Sequence, residues 1–280
     1  MGQLQEDVAL VTGAGSGIGK ATALLLAEAG ARVAAFDLHE EAAQATAEEI
    51  ARSGGEGMAI AGDSSVEGDA ERAVRETVSR FGKLTVLVNA AGIVVRKSLL
   101  ETSGEEWRRV IDVNLNGYFY FLRPAVPEMQ AAGGGRVVQI ASIAGHIGYG
   151  YPSYTAAKGG VLSLTKQLAG ELAPRRIRIN SISPGVIESG FNRDTLSQEA
   201  IREATIANTP WGRLGQPVDV ARAVLFLVGP ESDFVTGADL VVDGGMISLI
   251  HWGSAQQSLQ SFHAESPATR QESGRCSTTA

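Results

Sequence analysis

Tyr154 and Lys158, in the run Tyr-Thr-Ala-Ala-Lys, have side-chain types and a spacing that can do chemistry. Four residues apart on a helix, they share one face. A free phenol has a pKa of about 10 and is almost fully protonated at neutral pH. A cation within a few ångström favours the phenolate, so the pair reads as a way of making a base. A chance pair on a solvated helix is the plain alternative, and residues upstream decide against it. Thr12-Gly13-Ala14-Gly15-Ser16-Gly17-Ile18-Gly19 follows an apolar run and opens a helical stretch. Glycines there permit a tight turn and close approach of backbone to a pyrophosphate, and the helix N-terminus adds N–H donors and partial positive charge. Gly13, Ser16, Gly17, Ile18 and Gly19 are therefore candidate dinucleotide-binding residues. Asp37, at the end of the second apolar run, is placed to accept hydrogen bonds from an adenosine ribose and to repel the extra phosphate of NADP. Neither the glycine loop nor Leu38-His39-Glu40-Glu41 holds an Arg or Lys, so NAD is the expected cofactor. The same carboxylate could instead cap the next helix. Asp63, followed by Ser64, suits either a contact with the adenine amino group or a helix start.

These residues need elements to position them. Short β-rich apolar runs recur at residues 8–12, 32–37, 58–61, 84–89, 136–141, 177–183 and 240–243. Helix-periodic stretches such as 21–29, 42–53, 71–81 and 154–173 lie between them. The strand runs are continuous rather than alternating, as expected for strands buried on both faces. The expected fold is α/β: a doubly wound parallel sheet of about seven strands, a Rossmann fold, with helices on both faces. No linker divides the chain before residue 245, so one catalytic domain is expected over residues 1–250. Residues 186–216, with Gly190, Phe191, Pro210, Trp211 and Gly212, break the alternation just after the sixth strand. They are read as a substrate lid beside the carboxyl ends of the strands, where open α/β sheets bind ligands. Phe191 and Trp211 either wall the pocket or pack the lid onto the body. Residues 251–280 are rich in Ser, Gln and Thr and read as a flexible polar tail.

Composition narrows the classes of function. The net charge of −7 argues against a nucleic-acid or anionic-membrane partner. No apolar run reaches the ~18 residues that would span a bilayer, and the first residues do not read as a signal peptide. A single cysteine, Cys276, cannot form an internal disulfide, so a cytoplasmic setting is expected. His39, His146, His251 and His263 show no metal-ligand spacing, and no metal is expected.

In sum these residues resemble the short-chain dehydrogenase/reductase family, in its compact single-domain branch, over about residues 5–248. The motifs arrive in order: the Thr-Gly-x-x-x-Gly-x-Gly run, then Asn89-Ala90-Ala91-Gly92, then Asn114 within Asp-Val-Asn-Leu-Asn-Gly. Ser142, Tyr154 and Lys158, Pro184-Gly185 and Asp243-Gly244-Gly245 follow. The resemblance implies Tyr154 as general acid/base and Lys158 as the residue that lowers its pKa and bonds the nicotinamide ribose. It implies Ser142 as the group that polarises the substrate oxygen. It implies that Asn114 distorts its helix and fixes a water on a proton path; Asn116 competes for that role, and the Asp112-Val113-Asn114 pattern favours Asn114. Asn89, Gly92, Pro184, Gly185, Ile187 and Ser189 join the cofactor set, Ser189 standing where the family commonly has threonine.

The expected activity is hydride transfer between NAD and a secondary alcohol or ketone, a small-molecule substrate. The candidate pocket residues Val94, Val95, His146, Tyr149, Tyr151, Phe191 and Trp211 suit an apolar body, although His146 reads better as a solvent-facing loop residue. The nearest alternative is a reductase or dehydrogenase of acyl chains on carrier protein or coenzyme A. A non-catalytic dinucleotide-binding sensor or scaffold is more remote, because the Asn114, Ser142, Tyr154 and Lys158 set is intact. A homotetramer is implied by resemblance alone.

Overall fold

The computed structural model describes residues 3–248; the expected tail at 251–280 lies outside the described residues. Seven strands form one sheet: β1 (Val8–Thr12), β2 (Arg32–Asp37), β3 (Gly57–Ala61), β4 (Val86–Asn89), β5 (Gly135–Ile140), β6 (Ile177–Pro184) and β7 (Asp239–Val242). Their spatial order is β3-β2-β1-β4-β5-β6-β7, and every pairing is parallel. Each strand read from the sequence is present, β1 and β2 with the expected ends and the others with ends moved by no more than two residues.

The helices are α1 (Gly17–Glu28), α2 (Glu40–Arg52), α3 (Glu67–Phe81), α4 (Gly104–Ile111), α5 (Gly117–Ala131), α6 (Pro152–Leu172), α7 (Arg193–Leu196), α8 (Glu199–Ala207) and α9 (Pro217–Val228). Successive strand residues point to opposite faces, and both faces are covered. Ala9 and Val11 of β1 join Leu26 of α1 and Val224 of α9 in one buried cluster. Val8 and Leu10 join Val74 of α3 and Phe121 of α5 in the other. That double burial is the physical reason the strand sequences run apolar without a break.

The chain winds outward from β1 to β3, then returns to β4 on the other side of β1. This reversal opens a crevice at the carboxyl ends of β1 and β4, the usual ligand position in such sheets. Thr12 fastens its two walls: its Oγ1 accepts from the Ala90 N–H at 3.0 Å and the Ala91 N–H at 3.1 Å. Helix α1 begins at Gly17, earlier than its apolar stripe predicts, because its first turn is shaped by backbone packing. A Cβ on Gly19 would sit 2.1 Å from the Gly13 carbonyl oxygen. No helix among the described residues is long and apolar enough to cross a membrane.

Candidate active site

The crevice between β1 and β4 is a cleft whose floor is the glycine loop. Gly13 has φ +67°, and a Cβ there would lie 2.8 Å from Ala91 Cα, so the loop meets the β4 wall backbone to backbone. Ser16 is the N-cap of α1 and makes no side-chain cap bond, which leaves the first N–H groups of the helix to a ligand. Gly13, Ser16, Gly17, Ile18 and Gly19 all line the cleft.

Asp37 stands at the cleft wall and is tied to the loop it faces. Its Oδ2 accepts from the Gly15 N–H at 2.9 Å, and its Oδ1 accepts from the His39 N–H at 3.0 Å. The N-cap of α2 is His39, so Asp37 braces the loop rather than capping the helix. Asp63 and Ser64 line the cleft further along. Asp63 Oδ1 accepts from the Ser65 hydroxyl at 2.6 Å, and Oδ2 accepts from Arg109 at 3.1 Å. Burial works to raise the Asp63 pKa, but the Ser65 bonds and the Arg109 charge outweigh it and hold the carboxyl below its ordinary value. Arg109 is a cleft residue the sequence did not reveal; it reaches this position from α4, remote in sequence from Asp63.

Gly92, Pro184, Gly185, Ile187 and Ser189 line the same cleft. Ser189 faces the glycine loop across it, since a Cβ on Gly17 would lie 3.5 Å from Ser189 Cβ. Asn89 serves the structure: its side chain is fully buried and donates to Gln139 Oε1 at 2.9 Å. The last residue of β4 points into the protein, and the backbone of Ala90 and Ala91 carries the wall instead.

Asn114 lies in a π-helical turn, Asp112–Asn116, between α4 and α5. Its Nδ2 donates to the Ile93 and Val110 carbonyls, both at 2.9 Å, while its Oδ1 is buried without a partner. That oxygen faces Gly92, where a Cβ would lie 2.8 Å away. An orphaned buried acceptor at a cleft wall is a place for a ligand or water donor. Asn116, its competitor, is spent on Asp112 Oδ1 at 2.8 Å.

Ser142 caps a single 3-10 turn after β5, its Oγ accepting from the Ala144 N–H at 3.1 Å. Burial pushes the Tyr154 phenol up to about 12; the Ser142 hydroxyl opposes the rise, neighbouring Tyr149 adds to it, and Arg96 pulls it down. Lys158 is 3% exposed, and burial draws its ammonium down to about 7. Its Nζ donates to Tyr118 Oη at 3.0 Å and to the Ile140 carbonyl at 2.7 Å, and stands 5.7 Å from the centroid of the Tyr154 ring. In the protein alone, burial is the largest influence on both groups, raising the phenol and lowering the ammonium.

A second pocket, of about 260 Å³, abuts the cleft. Ser142 and Tyr154 belong to the walls of both. Val94, Tyr149, Tyr151 and Phe191 line it as expected, and Leu196 and Ile201 from the segment after β6 complete an apolar surface. Arg96, not foreseen, crosses its rim. It donates to the Phe191 carbonyl and Asn192 Oδ1, both at 2.9 Å, and lies over the Tyr151 and Phe191 rings. Val95, His146 and Trp211 do not line it. His146 Nε2 lies 2.8 Å from Asp239 Oδ2 and 3.1 Å from Ser183 Oγ, which turns the ring toward β6 and β7. Trp211 is 73% exposed beside Asp243 and Gly244, on another face.

Comparison with known proteins agrees with this geometry. The profile of the enoyl-(acyl carrier protein) reductase family matches residues 13–247. The chain is 47% identical to cyclohexanol dehydrogenase of Acinetobacter sp., over 88% of this chain and 97% of the relative. It is 40% identical to a 3-oxoacyl-[acyl-carrier-protein] reductase of Staphylococcus aureus, over 85% of this chain and 97% of the relative. A crystal structure of a short-chain type dehydrogenase/reductase from Mycobacterium marinum superposes with TM-score 0.84 at 36% identity, covering 88% of this chain and 97% of that one. The chain belongs to the short-chain dehydrogenase/reductase family and is an oxidoreductase acting on CH–OH groups with a nicotinamide dinucleotide.

Proposed function

We propose that this family member is an NAD-dependent dehydrogenase that interconverts a secondary alcohol and a ketone, with Tyr154 as general acid/base. One observation carries the reading: the Ser142 and Tyr154 hydroxyls form the wall shared by the dinucleotide cleft and the apolar pocket. A substrate oxygen held there meets a hydrogen-bond donor and a proton acceptor at once, with its carbon facing the cleft.

The cleft suits the cofactor. The glycine backbone leaves no room for side chains, the α1 N-terminus is uncapped, and Asn114 Oδ1 lacks a partner. Gly13 to Gly19 would hold the pyrophosphate, Asp37 the adenosine ribose, Asp63 and Ser64 the adenine end, and Lys158 and Tyr154 the nicotinamide ribose. Pro184, Gly185, Ile187 and Ser189 would flank the nicotinamide. Bound there, NAD supplies the hydride acceptor for oxidation, and its reduced form the donor for the reverse reaction. Asp37 keeps free lone pairs beside its two backbone bonds, and its charge disfavours the phosphate of NADP.

In oxidation, Tyr154 takes the hydroxyl proton as the carbon gives up its hydride. In reduction it returns that proton to the developing alkoxide, which the Ser142 hydroxyl stabilises. Residues 186–216 act as a lid whose Phe191, Leu196 and Ile201 exclude water from an apolar substrate. The small, partly aromatic pocket fits a cyclic or aryl alcohol, in keeping with the cyclohexanol dehydrogenase relative. A second reading, reduction of a 3-oxoacyl thioester, is supported by the Staphylococcus aureus relative and by the Arg96 guanidinium at the rim. Initial rates with cyclohexanol and with a 3-oxoacyl thioester, each with both cofactors, separate them. Faster turnover of the thioester with NADPH would replace the first reading with the second.

A further inference from the structure

The active-site lysine is held by a residue that no motif contains. Tyr118 lies on the first turn of α5 and is 1% exposed, packed among Ala141, Val161 and Leu162. Its Oη donates to the Ile140 carbonyl at 3.0 Å. Lys158 Nζ donates to the same carbonyl at 2.7 Å and to Tyr118 Oη at 3.0 Å. Three polar atoms on three elements thus close a triangle beneath the cleft. The Ile140 carbonyl takes the phenol's single proton, so the phenol presents only lone pairs to Nζ.

We propose that Tyr118 is a positioning residue for catalysis: it fixes Lys158 in the triangle with the Ile140 carbonyl, so that the remaining N–H of Nζ is aimed into the cleft. The aim is visible from the other side, where a Cβ on Gly92 would lie 3.9 Å from Nζ and 2.8 Å from Asn114 Oδ1. A buried ammonium with one carbonyl acceptor would be poorly satisfied, and the second acceptor favours its charged form. The titratable groups that face Nζ are Tyr118 from α5 and Tyr154 from its own helix, with ring centroids at 4.8 and 5.7 Å. Among the described residues no salt bridge reaches it. Burial raises the Tyr118 pKa well above its ordinary value, so the phenol stays neutral and works as acceptor and donor only.

This inference rests on the dehydrogenase reading for its consequence and on the triangle for its geometry. Tyr118→Phe keeps the ring and removes only the hydroxyl. With one acceptor fewer, Lys158 holds its proton less well and supports the Tyr154 phenolate less. The pH limb of kcat/KM for alcohol oxidation should then move up by about one unit, a roughly tenfold loss at neutral pH. Val161→Ala, a packing change in the same cluster, should lower thermal stability and leave that limb in place. A second readout needs no turnover: a lysine side-chain NMR titration of the protein alone, with Lys158 assigned by Lys158→Met. There Tyr118→Phe should lower the Lys158 midpoint. Coincident Lys158 titrations in wild type and Tyr118→Phe, or an equal limb shift in Val161→Ala, would overturn the inference while leaving the dehydrogenase reading intact. A Lys158 midpoint lowered by Tyr118→Phe, together with a wild type that oxidises no alcohol, would instead uphold the positioning and remove the dehydrogenase reading.

Discussion

In our reading Ser142 and Tyr154 carry the chemistry, because they are the two hydroxyl groups among the described residues that line both the cleft and the apolar pocket. Their roles separate in mutants. Ser142→Ala removes one donor to the developing alkoxide and should lower kcat by about 10²–10³-fold with cofactor binding retained, measured by steady-state rates and cofactor titration. Burial places the Tyr154 phenol at about 12, so the base form is scarce at neutral pH. Oxidation should therefore accelerate as pH rises, because each step upward increases the phenolate fraction; a flat profile of kcat/KM between neutral and alkaline pH would contradict the assignment. At this scale the sequence was legible where chemistry depends on local spacing. Tyr154 and Lys158 are four residues apart, and Asn114 and Ser142 sit in short motifs. Tyr118, Arg96 and Arg109 were hidden because their partners are distant in the chain and meet them only through the sheet topology.

The elements turn those residues into a site. The π-helical turn at Asp112–Asn116 swings Asn114 inward, with Nδ2 held by two carbonyls and Oδ1 left toward Gly92. The second-strand terminus does two jobs through Asp37, which selects the cofactor in our reading and holds the Gly15 N–H. Asp37→Ser should therefore narrow the preference for NAD over NADP by tenfold or more, with some loss of NAD affinity as the loop loosens. Cofactor titrations of both forms test this, and an unchanged ratio would remove Asp37 as the selector. Arg96 joins the loop after β4 to the segment after β6 through Phe191 and Asn192. Arg96→Ala should raise KM for an apolar alcohol several-fold with kcat changed less than twofold, because a looser lid weakens binding equally in ground and transition states. Residues 186–216 were legible as a break in strand–helix alternation, but which of their aromatics enters the pocket was not. Phe191 does and Trp211 does not, a difference set by how residues 208–216 fold back against Gly244.

Over the whole molecule, the doubly wound sheet was readable in outline from continuous apolar runs, and its order follows from burying both faces. What the sequence could not show is how the far end is tied. Asp7 accepts hydrogen bonds from Nη1 and Nη2 of Arg136, at 2.8 and 3.0 Å, and from the Thr85 hydroxyl at 2.8 Å. Arg136 Nε also donates to the Val228 carbonyl at the end of α9. This network joins β5 and the end of α9 to the residues that lead into β1 and β4, at the amino ends of the strands, opposite the cleft. Arg136→Ala leaves a largely buried carboxylate without its partner and should cost about 2 kcal/mol, less than a fully buried pair because some solvent reaches it. That corresponds to roughly 4–8 °C in Tm for a domain of this size, with kcat per folded molecule unchanged. A calorimetric scan beside an activity assay checks both halves.

In our reading, Tyr154 is the acid/base of an NAD-dependent oxidation of a secondary alcohol. The most direct measurement is NADH formation with cyclohexanol in wild type and Tyr154→Phe, with NAD binding measured on both. Turnover in wild type, a loss of 10²–10⁴-fold in Tyr154→Phe and comparable NAD affinity is the predicted result. Equal turnover in the two proteins, with NAD bound by both, would contradict it.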